Sequence, residues 1–133
     1  MNAPFRRGWV PAALLVGVAY FIIGRGFTIP ADHVQAWRLA AWALSLVAYA
    51  AHIWYEHFRL RSTPRSLAFH AAVAVAIGAI GLALAGMIHS LSTGAALRPV
   101  WLLALVLWPA FTAIPAFLVA LAIAAVLKRL HSI

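Results

Sequence analysis

The sequence has no cysteine and only two acidic residues, Asp32 and Glu56, among its 133 positions. Without cysteine there is no disulfide, no thiolate nucleophile, no cysteine-ligated iron–sulfur cluster and no covalent haem attachment through C-x-x-C-H. Charge of either sign is scarce: 9% of the residues are charged and 66% are hydrophobic, whereas a soluble domain carries roughly a quarter charged residues. Such a chain cannot cover a water-facing surface, so the lipid bilayer is its first expected partner. Internal repeats and low-complexity linkers are missing too, which leaves one transmembrane domain over residues 1–133.

The net charge of +8 invites a nucleic-acid reading, and its distribution rejects one. The basic residues stand at the ends of apolar segments rather than along one face, as membrane orientation requires. No nucleic-acid partner is expected.

About 20 apolar residues span the hydrocarbon core, and four segments meet or approach that length: 9–29, 37–58, 66–91 and 100–127. The breaks between them carry turn and cap residues, among them Gly26, Pro30, Asp32, Pro64, Gly94 and Pro99. Short connections make successive helices antiparallel. The expected fold is therefore an all-α integral membrane protein with four transmembrane helices in an antiparallel up-down-up-down bundle. The first segment has a basic start, but no small-x-small cleavage site follows, so it is read as a retained helix.

Orientation follows from arginine and lysine. Arg6, Arg7, Arg59, Arg61, Arg65, Lys128 and Arg129 fall on one side, and Arg25, Arg38 and Arg98 on the other. The richer side is cytoplasmic, which places both termini there. The preference for arginine over lysine suggests a GC-rich bacterial genome, and hence a bacterial cytoplasmic (inner) membrane.

The second segment, "RLAAWALSLVAYAAHIWYEHFRL", threads polar side chains through an apolar run. Arg38, Trp42, Ser45, Tyr49, His52, Glu56 and Arg59 recur at alternating spacings of four and three, which is one stripe on a helix. Acyl chains offer no hydrogen-bond partner, so Ser45, Tyr49, His52 and Glu56 are expected to face the other helices. Such a seam serves either as interhelical glue or as a polar pathway. Counted outward from the loop at 59–65, His70 lies at nearly the depth of Glu56. A Glu56–His70 hydrogen bond would join a carboxylate to a titratable imidazole, the components of a proton site.

On the third segment, His70, Ala74, Gly78, Gly81, Ala85 and His89 share about a 100° arc. The small residues among them mark a helix-packing face. Arg25, Asp32, His33 and His89 form a candidate polar cluster on the outer side, with Asp32 expected to cap the second helix. These residues lack the fixed spacing of a metal motif, and no metal site is expected. The fourth segment contains Pro109 and Pro115, each of which removes a backbone donor and favours a kink.

These features order the functional expectations. A non-enzymatic accessory, assembly or scaffold component, binding a membrane protein partner or a second copy of itself, needs only packing faces and glue. The alternative is a small proton- or solute-linked carrier or channel acting as a homo-oligomer, for which the polar seam and the double-proline helix argue. A b-type haem or quinone-binding subunit comes third, since bundle-facing histidines are haem ligands. No cofactor is expected ahead of that haem b. No nucleophile–base spacing or phosphate loop argues for an enzyme.

Overall fold

The computed structural model describes residues 8–26 and 32–133, and these form four helices with no strand among them. They are α1 (Trp9–Gly26), α2 (Val34–Phe58), α3 (Pro64–Ser92) and α4 (Pro99–His131). Residues 27–29 of the first expected span lie outside the described residues, as do Arg6, Arg7 and Pro30.

Helix ends follow from local chemistry. Thr63 caps α3 by accepting from the Ser66 amide at 3.3 Å, and Pro64 occupies the first turn, where its missing N–H costs nothing. Asp32 does not cap α2. His33 holds that position in the left-handed region (φ 57°) and supplies no side-chain cap; its carbonyl accepts from the Trp37 amide at 3.1 Å. The helix thus starts at Val34, ahead of the expected 37 and one residue later than a cap at Asp32 would set it.

Three helices, α1, α3 and α4, are long and apolar enough to cross a membrane. The 25-residue α2 has the length but not the hydropathy. Arg38, His52 and Glu56 dilute its apolar content, so the seam that makes α2 interesting also weakens its signal as a span.

α3 is the central element, packed along α4 on one side and α1 on another; α1 and α4 do not meet among the described residues. Glycine permits the close α1–α3 contact. A methyl group added at Gly17 would lie 2.6 Å from Ile77 Cγ2, and one at Gly78 would lie 2.7 Å from Tyr20 Cβ and 3.2 Å from the Gly17 carbonyl. Gly81 faces Phe21, and Gly24 faces Leu82. Residue numbers rise together along this contact, so α1 and α3 run the same way. Gly86 of α3 faces Trp101 of α4, while Ala68 and Ala71 share a buried cluster with Ala120 and Ala124. α4 therefore runs opposite to α3.

The core is small-residue packing rather than large side chains: Ile53, Leu67, Ala68, Ala71, Ala120 and Ala124 are all buried. Large apolar side chains lie outside, with Leu15 73% and Phe111 70% exposed. An outward apolar surface of this kind suits lipid, against which burying Leu or Phe gains nothing, and leaves helix association to close packing.

Candidate functional site

Glu56 stands near the C-terminal end of α2, and its side chain is wholly enclosed. Burying a carboxylate requires partners, and three surround it. Ser62 Oγ donates to Oε2 at 2.6 Å, and His70 Nδ1 meets the same oxygen at 2.9 Å. With the carboxylate ionised, the imidazole is the donor. His52 Nε2 lies 3.6 Å from Oε1, within ion-pair reach but outside hydrogen-bonding distance.

The tight hairpin between α2 and α3 brings these groups together. The Ser62 amide donates to the Glu56 carbonyl at 3.0 Å, and Arg61 takes a left-handed conformation (φ 50°) to complete the reversal. This fold-back sets His70, two turns into α3, across from Glu56. The ring of Trp9, at the start of α1, stacks on His70 with centroids 4.1 Å apart and an interplanar angle of 1°. The stacked indole fixes the plane of the imidazole.

The remaining capacity of the cluster is unused. Glu56 Oε1 and both ring nitrogens of His52 are buried with no hydrogen-bond partner among the described residues. Native proteins leave few buried polar atoms unsatisfied, so each asks for a reason.

One turn before His52, the Tyr49 hydroxyl donates to the Ala116 carbonyl of α4. Beyond it the helices part around a cavity of about 580 Å³, lined by Ser45, Tyr49 and Trp42 of α2, Tyr20 of α1, and Trp108 and Phe111 of α4, among others. The seam thus leads from this cavity, through Tyr49 and His52, to Glu56 and the α2–α3 loop. A rise of 1.5 Å per residue makes the path from Ser45 to Glu56 about 16 Å.

Of the other sequence-selected residues, Ala74 and Gly78 are buried at the α1 contact, and Gly81 and Ala85 are partly buried. Arg25, Asp32, His33 and His89 are exposed. No hydrogen bond or ion pair joins Asp32, His33 and His89 to one another among the described residues. α4 continues unbroken through Pro109 and Pro115. Thr112 Oγ1 bonds the Trp108 carbonyl at 2.9 Å and the Pro109 carbonyl at 3.1 Å within that stretch.

Two members of the site were not legible as such. Neither Trp9 nor Ser62 stands out in the sequence; only the hairpin and the α1–α3 contact bring them to the cluster. Gly17 and Gly24 were missed as the counterpart of the α3 small-residue face, though their seven-residue spacing places them on one side of α1.

The described residues contain no group of three or more His, Asp or Glu side chains arranged to hold a metal ion. As haem ligands, His52 and His70 have a poor setting: both point at one carboxylate in close packing, and neither lines either of the two main cavities. What the geometry offers is one enclosed carboxylate with two imidazoles within 4 Å of it, groups of the kind that can carry a proton. No family model, curated protein or solved structure matches the chain.

Proposed function

We propose that the protein is a small proton-linked membrane carrier whose four helices all cross the bilayer, with both termini in the cytoplasm. In this reading Glu56, His52 and His70 exchange a proton with the cytoplasmic side while the cavity above Tyr49 holds the solute. The observation that carries it is the set of buried atoms without a hydrogen bond among the described residues, Glu56 Oε1 and the two nitrogens of His52, on a seam that leads to a cavity. Ionisable groups placed inside a membrane protein are costly and mark proton or ion pathways.

The basic residues of the α2–α3 hairpin and of the α4 C-terminus support the orientation, and a bacterial inner membrane is the setting. The side-chain contacts of α2, at Glu56–His70 and Tyr49–Ala116, support counting it as a fourth span despite its lower hydropathy. A span this polar is tolerated where its polar face turns inward.

The test is proton flux into liposomes carrying the purified protein. Glu56→Gln preserves shape but cannot exchange a proton, so it is expected to fold and to lose pH-driven flux. Flux equal to that of the parent would remove the carrier reading and leave the accessory role, in which a membrane protein partner binds the helix faces.

A further inference from the structure

The cavity between the outer half of α2 and helices α1, α3 and α4 has a composition that selects its occupant. No charged residue lines it, so an ion would enter without a counter-charge. Its walls are aromatic: Tyr20, Trp42, Tyr49, Trp108 and Phe111 all contribute. Trp42 and Phe111, each 70% exposed, stand at its open side toward the lipid-facing surface. At about 580 Å³ it falls in the range, roughly 300–1,000 Å³, of small-molecule sites.

One polar group in its wall is unspent. The Tyr20 hydroxyl is buried and has no hydrogen-bond partner among the described residues. Tyr49, by contrast, spends its proton on the Ala116 carbonyl. A buried phenol without a partner costs stability that an acceptor would return, and in an aromatic slot the complementary acceptor belongs to a flat ring.

We propose that the cavity binds a lipid-soluble molecule with a planar, carbonyl-bearing head, which enters sideways from the bilayer between α2 and α4. Its ring lies between the aromatic walls, and a carbonyl oxygen accepts from Tyr20. Its tail stays in lipid past Trp42 and Phe111. This rests on the carrier reading for the identity of the solute, while the binding event itself needs no proton gradient.

Trp42 and Trp108 give the site its own reporter. The full-length protein in detergent is titrated with a decyl-tailed benzoquinone, and tryptophan fluorescence is followed. The expected result is saturable quenching that decyl-benzene, which lacks carbonyls, fails to reverse by competition at equal concentration. Tyr20→Phe is expected to weaken binding roughly threefold to tenfold, the size of one neutral hydrogen bond. Trp42→Phe combined with Trp108→Phe is expected to abolish the saturable part. Quenching that rises without saturation, or that persists in the double variant, overturns the proposal. So does equal affinity in Tyr20→Phe, or displacement by decyl-benzene. Saturable, Tyr20-dependent binding beside unchanged proton flux in Glu56→Gln would uphold the binding site and overturn the carrier reading alone.

Discussion

Glu56 of α2 and His70 of α3 meet at 2.9 Å with the carboxylate fully enclosed, although they stand fourteen positions apart in the chain with a hairpin between them. Ser62, on the hairpin itself, donates to the same oxygen. The turn that reverses the chain therefore also completes the site, and loop geometry and buried charge are one structural unit.

That unit makes the Glu56–His70 pair energetically coupled. A double-mutant cycle with Glu56→Ala and His70→Ala, read by thermal or denaturant unfolding in detergent, is expected to give about 1–3 kcal/mol of coupling. Additive effects would mean that the two side chains do not share a bond in the folded protein.

His52 leads to the opposite expectation. Neither of its nitrogens has a hydrogen bond among the described residues, and Nε2 has only the 3.6 Å approach to Glu56, so burying the imidazole is a cost to folding. His52→Leu is expected to leave the thermal midpoint unchanged or raise it, while lowering proton flux. A fall in the midpoint with flux intact would identify His52 as packing glue instead.

The α1–α3 interface has no room for side chains at its glycines. Gly81→Leu would press on Phe21, and Gly78→Leu on Tyr20 and the Gly17 carbonyl. Each is expected to cost about 1–3 kcal/mol, with Gly78 the more severe because backbone blocks it. Folded yield and melting temperature in mild detergent check this, and parental behaviour of Gly78→Leu would rule out the close approach.

Much of this arrangement is legible in the sequence, and the illegible part has a physical reason. Helical spacing alone puts Ser45, Tyr49, His52 and Glu56 on one face, and counting from the loop sets His70 level with Glu56. Spacing within one helix says nothing of how its neighbours splay, so the cavity lined by Tyr20 and Trp108 could not be read. Asp32 lost its capping role to a backbone turn at His33, which composition does not reveal.

Topology tests whether α2 crosses the membrane. Single cysteines at Arg61 and Thr93, both exposed, can be labelled cleanly because the chain has none of its own. With four spans, Arg61→Cys reacts from the cytoplasm and Thr93→Cys from outside. If α2 lay on the outer surface instead, α3 would cross inward and the two accessibilities would be reversed.

The central claim is that Glu56 exchanges a proton inside the protein, and the shortage of acids makes this directly measurable. Asp32 and Glu56 are the only side-chain carboxyls in the sequence, so infrared difference spectra can assign each from one variant. Proteoliposomes would be taken from about pH 4 to about pH 9, a range bracketing ordinary carboxyl and imidazole titration. The account predicts a protonated-carboxyl C=O band that remains in Asp32→Asn, vanishes in Glu56→Gln, and changes its midpoint in His70→Gln. A spectrum in which no band depends on Glu56 across that range would contradict it.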